Sequence, residues 1–228
     1  MYKLGYLDDD KGNRTSFARQ FEKNFDLHVV EDLNEVKSLK DLMDVVENEN
    51  LDALAIDFQL AASGDIPYNG DEVVEYFNMH KKYFPVFMVT SFVADALNRM
   101  YDVYLINDKE KVENDEYRGQ LIQNVNNSIA AYQRRVSAIQ DKAMSLEEKQ
   151  KTKDGLSLEE EHELLNLHLE LNAIDPKANP VSAEQLQTKP LKELQELVKN
   201  SRELLKSLSQ DEISRSMSSK KYKCSCRK

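Results

Sequence analysis

The sequence predicts an α/β protein in which a five-stranded parallel sheet is wrapped by helices, followed by an α-helical region. Three observations carry this. Short apolar runs alternate strictly with helical patterns up to about residue 114. The runs are apolar throughout, as strands covered on both faces are. From about Asp115 such runs vanish, and long polar segments with leucine or isoleucine seams take over.

Taken in order, Tyr2 to Leu7, Leu27 to Val30, Ala53 to Ile56, Pro85 to Thr90 and Val103 to Ile106 read as buried strands. Thr15 to Asn24, Leu39 to Glu47, Glu72 to Lys81 and Val93 to Met100 carry helical spacing between them. Strand and helix in strict alternation favour a parallel sheet with helices on both faces. The first domain is placed at residues 1–115.

A long helix is expected over residues 116–152, because Ile122, Val125, Ile129, Tyr132, Val136, Ile139, Ala143 and Leu146 alternate three and four residues apart, the seam of a coiled coil. Lys153, Asp154 and Gly155 break it. A helical appendage follows over residues 156–215. Its first helix starts at Ser157, an N-cap with Glu160 at capping-box distance, and runs to about Ala173. Pro176 to Pro190 reads as a linker or irregular turn, after which Leu191, Leu194, Val198, Leu205 and Leu208 resume heptad spacing. Residues 216–228 are serine-rich and basic without periodicity, and are expected to be disordered. The seams admit either an intrachain bundle or a homodimer.

With 228 residues the chain has room for one ordinary domain and a substantial appendage. Its formal net charge of −10 disfavours a broad nucleic-acid or anionic-membrane surface. The chain opens on a strand, and its apolar stretches fall short of the roughly 20 residues that span a bilayer. A cytoplasmic protein without membrane association is therefore expected. Cys224 and Cys226, both near the end, suit a reducing compartment and exclude a disulfide framework. As a lone pair they fall short of the four ligands of a structural zinc site. His162 in EEEHELLN is read as a solvated helix histidine.

The strand ends carry the chemistry. Asp8, Asp9 and Asp10 close the first strand, Asp57 closes the third, Thr90 and Ser91 close the next, and Lys109 follows the last. In an open parallel sheet, side chains at the carboxyl ends of strands converge on the crevice where ligands bind. Clustered carboxylates repel one another unless a cation joins them, and Mg²⁺ takes oxygen ligands while keeping several waters. Carboxylates, a hydroxyl and an ammonium together point to phosphoryl transfer. The competing structural reading treats such aspartates as helix caps or turn residues.

Five segments in order, GYLDDD, ALAIDF, PYNGDEVVEYF, MVTS and VYLINDK, resemble the receiver domain of two-component response regulators, the CheY-like, flavodoxin-like fold. The resemblance covers about residues 1–115. It implies that Asp57 is the phospho-accepting nucleophile and that Asp8, Asp9, Asp57 and the backbone carbonyl of Gln59 hold Mg²⁺. It further implies that Thr90 and Lys109 bind phosphoryl oxygens, and that Tyr104 is an aromatic that turns inward on activation. The chain departs from the family pattern twice. The loop from Asp57 to Gly70 is several residues longer than usual, so it is expected to cover the mouth of the site or to carry a partner contact. In addition, Asn107 stands where the lysine is expected, so Lys109 must reach from two residues later, with Lys111 as the alternative.

The function expected from this resemblance is a phosphoryl-accepting receiver that signals through its helical region. Its partners would be a sensor histidine kinase or phosphotransfer protein and a downstream protein. No specific DNA binding is expected, since neither seam shows a basic helix-turn-helix pattern. The chain would not be an enzyme beyond accepting and losing its own phosphoryl group. The alternative is a phosphorylation-independent, receiver-like scaffold or adaptor. A third reading, a Mg²⁺-dependent phosphatase or nuclease, lacks a second acid or base near Asp57.

Overall fold

The computed structural model describes residues 1–99, 106–153 and 155–180, together with residue 201. Five strands, β1 (Lys3–Leu7), β2 (Asp26–Val29), β3 (Ala53–Ile56), β4 (Val86–Thr90) and β5 (Ile106–Asp108), form one sheet in the order β2-β1-β3-β4-β5. Every ladder is parallel. This is the flavodoxin-like strand order, whose ligand crevice lies where the order reverses, between β1 and β3.

Alternation along the buried strands assigns the two faces. Leu4 and Tyr6 of β1, Ala53 and Ala55 of β3, and Phe87 and Val89 of β4 pack with α1 (Lys11–Phe21) and α5 (Asp115–Gln150). Leu7, Leu54, Ile56 and Val86 point the other way, into α2 (Leu39–Asn48) and α3 (Gly70–His80). Met88 on that second face meets Phe58, Ile106 and Ala96 of α4 (Val93–Arg99). Each strand thus supplies side chains to two cores, which is why it is apolar at consecutive positions.

Helix starts follow their caps. The side chain of Asp10 accepts from the Asn13 N–H, so α1 begins at Lys11, four residues before the expected start. Asp10 is therefore an N-cap, not a third member of the acidic group. Ser38 and Asp41 form a capping box on α2, and Asn69 with Glu72 marks the start of α3. Gly70 is required there, because a Cβ would lie 2.4 Å from the Asp57 carbonyl oxygen.

Helix α5 corrects one expectation. The first half of its seam is not a free coiled-coil stripe. Val125 and Ile129 are buried against the sheet, with Ile122 packed beside them and Leu121, which the seam omits, buried too. Tyr132 packs on the second core, edge-on to Phe84. The spacing of three and four residues says only that one helix face is covered, and here the sheet covers it.

The chain divides into two compact units, one of residues 1–144 with 167–180 and the other including residues 145–166. In the first, the end of α6 (Leu158–Ile174) and the turn after it bond to α2 and to the turn after α3. The Lys82 N–H donates to the Ala173 carbonyl at 2.8 Å, and Lys177 Nζ lies 3.0 Å from Asp44. In the second, Ser157 and Glu160 form the expected capping box at the start of α6. Among the described residues no helix is long and apolar enough to cross a membrane. Tyr104, the heptad run from Leu191 and the tail with Cys224 and Cys226 lie outside the described residues.

Candidate functional site

The parallel register delivers the site. Leu7 pairs with Ile56, so Asp8 and Asp57 leave neighbouring strands side by side. Thr90 ends β4 opposite Asp108, which puts Lys109 at the next position beyond β5. Asn107 lies within the ladder instead, where its Nδ2 donates to the Met88 carbonyl at 3.2 Å.

One ammonium joins two carboxylates. Lys109 Nζ is 2.8 Å from Asp8 Oδ2 and 3.0 Å from Asp57 Oδ1. Burial works against its charged form, but the charges and hydrogen bonds of Asp57 and Asp8 outweigh that, leaving its pKa above the ordinary lysine value. Lys111, 66% exposed, pairs with Asp108 and not with the acidic group.

Asp8 is fully buried and accepts four hydrogen bonds. Its Oδ1 receives the Asp10 N–H at 2.9 Å and Asn13 Nδ2 at 3.2 Å. Its Oδ2 receives the Tyr6 hydroxyl at 2.6 Å in addition to Lys109. Burial, reinforced by the charge of Asp8, pushes the Tyr6 hydroxyl far above the ordinary tyrosine pKa, so it stays a donor. Buried Arg14 reaches back from α1 to the carbonyls of Asp8 at 2.7 Å and Asp9 at 3.2 Å, fixing the backbone that presents both carboxylates.

Asp9 and Asp57 complete the group. Asp57 Oδ2 accepts the Gln59 N–H at 3.1 Å, which folds the loop back at its first turn. Asp9 Oδ2 accepts the Ser63 N–H at 3.0 Å, so the long loop is bonded directly to the acidic site. The loop is held from below as well. Leu60, Ile66 and Tyr68 are buried in the second core, and the Tyr68 hydroxyl donates to the Val36 carbonyl at 2.8 Å. Desolvation and the charge of Asp8 raise the Asp9 pKa, against the lowering effect of the Ser63 N–H. Buried Thr90 accepts the Phe92 N–H at 3.1 Å, which leaves its own hydroxyl proton available to donate.

Asp8, Asp9 and Asp57 each offer an oxygen, and these oxygens lie within 4.8 Å of one another. A set of hard carboxylate oxygens at that spacing fits a cation such as Mg²⁺. Asp57 thus lies beside both Lys109 and this oxygen set.

Tyr6, Asn13, Arg14 and Ser63 belong to this constellation and were not singled out from the sequence. A helix starting at Thr15 leaves Asn13 and Arg14 in a loop, whereas Asp10 as N-cap puts both in the first helical turn, where they meet Asp8. A tyrosine in an otherwise aliphatic buried strand is itself a signal, since a buried hydroxyl needs a partner.

No protein-family model matches the chain, and a comparison with curated proteins found no match. Among solved structures, the chain is similar to a response regulator receiver domain protein from Clostridium thermocellum, with 13% identity, 58% of this chain and 98% of that one covered, and a TM-score of 0.41. It is also similar to the Salmonella typhimurium response regulator RcsB, with 13% identity, 79% and 98% covered, and a TM-score of 0.42. A fusion carrying the yeast Spc42 trimeric coiled coil matches with 18% identity, 64% and 91% covered, and a TM-score of 0.44. The strand order and the all-parallel ladder, not these likenesses, carry the fold assignment.

Proposed function

We propose that the chain is a phosphoryl-accepting receiver that signals to a protein partner through its helical region. The observation that carries this reading is Lys109 Nζ, shared between Asp8 and Asp57 beside Asp9 at the carboxyl end of the sheet. Such an ammonium has an obvious second employment, because it can transfer from the Asp57 carboxylate to an oxygen of a phosphoryl group attached there.

In the step proposed, an Asp57 carboxylate oxygen forms a bond to phosphorus. The bond between phosphorus and the donor's leaving atom, a histidine nitrogen or an acyl oxygen, breaks with its electron pair. The product is an aspartyl phosphate, and later attack by water on phosphorus restores the carboxylate. Thr90 donates its hydroxyl proton to one phosphoryl oxygen and Lys109 pairs with another. Asp8, Asp9, Asp57 and the Gln59 carbonyl are the proposed Mg²⁺ ligands, and the ion's contribution when bound is to neutralise phosphoryl charge. The chain acts on its own side chain only, not as an enzyme on other substrates.

The proposed upstream partner is a sensor histidine kinase or phosphotransfer protein, and the proposed output is contact with a downstream protein, without specific DNA binding. A homodimer would have to use residues other than Val125 and Ile129, which the sheet already covers. Phosphorylation adds roughly −1.5 to −2 charge at Asp57, enough to shift Lys109, Thr90 and the Ser63 loop together.

The test is labelling by acetyl phosphate in the presence of Mg²⁺. Wild type should take up one hydroxylamine-labile phosphoryl group, Asp57→Ala should take up none, and omitting Mg²⁺ should suppress labelling. A folded wild type that is never labelled leaves the phosphorylation-independent scaffold as the reading.

A further inference from the structure

We infer that Tyr6 is a positioning residue of the acidic site, its hydroxyl holding the Asp8 carboxylate in place for a divalent cation. The inference rests on the cation-dependent reading above and extends it to a residue that reading does not use.

A carboxylate has room for about four donors, and Asp8 has four: the Asp10 N–H, Asn13 Nδ2, the Tyr6 hydroxyl and Lys109 Nζ. A cation cannot join Asp8 until one of them leaves. Lys109 is the donor free to do so, since it sits on a long flexible chain, is 19% exposed and is already shared with Asp57.

Tyr6 cannot follow it. The residue is 1% exposed on a central strand. Its ring lies 3.7 Å from that of Phe17 at an interplanar angle of 5°, and Phe17 stacks in turn on Phe21 at 4.3 Å. The packing fixes the ring, and the ring fixes the hydroxyl on Asp8 Oδ2. When Lys109 turns away, the hydroxyl remains and keeps the carboxylate from rotating.

The core alone would be served by the ring without its oxygen. A buried hydroxyl costs stability unless it is bonded, so the strand gains nothing from a tyrosine here except the bond to Asp8. Hydrogen-bond partners of ligating side chains commonly change metal affinity 10- to 100-fold when removed.

The test compares full-length wild type and Tyr6→Phe, which keeps the ring and removes only the hydroxyl. Mg²⁺ is titrated by calorimetry, and tyrosine absorption is followed by difference spectroscopy. The expected result is an approximately 10-fold weaker Mg²⁺ affinity in the variant, with its far-ultraviolet circular dichroism unchanged. Wild type should also show a tyrosine difference band that saturates with the same Kd and is missing from Tyr6→Phe. Equal affinity in the two folded proteins, or a band that persists in the variant, overturns the inference and leaves the cation reading standing. A wild type that binds no Mg²⁺ overturns both. Should the variant fail to fold, the wild-type spectrum decides, and Mg²⁺ binding without a tyrosine band counts against Tyr6.

Discussion

The ammonium of Lys109 keeps Asp8 and Asp57, with Asp9 beside them, from repelling one another at the carboxyl end of the sheet, and under the proposed function it would compete with Mg²⁺ for those carboxylates. Lys109→Met should therefore lower stability by about 1–3 kcal/mol in urea unfolding, yet tighten Mg²⁺ binding in a titration. A variant less stable but unchanged in Mg²⁺ affinity would mean that the ammonium and the ion do not share a site. The folded pKa of Lys109 is raised, so the native state holds this proton more tightly than the unfolded chain does. Its stabilisation is complete below about pH 10.4 and is lost as pH rises through the folded value. The stability difference between wild type and Lys109→Met should thus be flat from neutral pH to about pH 10 and shrink above it. Asp10 provides the contrast, because it caps α1 and faces the Asn13 N–H. Asp10→Ala should cost about 1 kcal/mol and leave Mg²⁺ binding intact. At this scale Asp8, Asp9, Asp57, Thr90 and Lys109 were legible as strand-end residues, whereas the separate task of Asp10 was not. A run of three aspartates does not reveal where the chain turns into a helix.

Elements were more legible than their edges. Consecutive apolar residues marked β1, β3 and β4 because those strands feed two cores, whereas β5 runs over Ile106–Asp108 and carries polar Asn107 and Asp108 in its ladder. Hydropathy could not mark that end, yet the position of Lys109 depends on it. The long loop after Asp57 was visible as extra length, but its attachment was not, since it depends on the Ser63 N–H and on the buried side chains of Leu60 and Ile66. Helix α5 shows the limit of periodicity. Its spacing required a covered face and could not say by what. Ile129 is fully buried against the sheet and Val136 is only half-buried. Ile129→Ala should cost about 2–5 kcal/mol in chemical denaturation, and Val136→Ala no more than about 1 kcal/mol. Equal losses at the two sites would instead fit a uniform coiled-coil seam.

At the scale of the whole molecule, a net charge of −10 and a cluster of three carboxylates predict that folding responds to cations in two separable ways. General screening relaxes self-repulsion across the surface and depends on ionic strength, whatever the ion. Under the proposed function, Mg²⁺ held by Asp8, Asp9 and Asp57 would add a linked term that depends on its concentration relative to its Kd. At 100 times Kd this term is about 2.7 kcal/mol, equivalent to a rise in thermal midpoint of roughly 5–10 °C for a chain of this size. Wild type should therefore melt higher in MgCl₂ than in NaCl of matched ionic strength. Asp57→Asn, which keeps the shape of the side chain and removes its charge, should lose most of that excess while keeping its response to NaCl. If the two salts act alike on wild type, the carboxylates respond to charge in general and the cluster holds no specific ion.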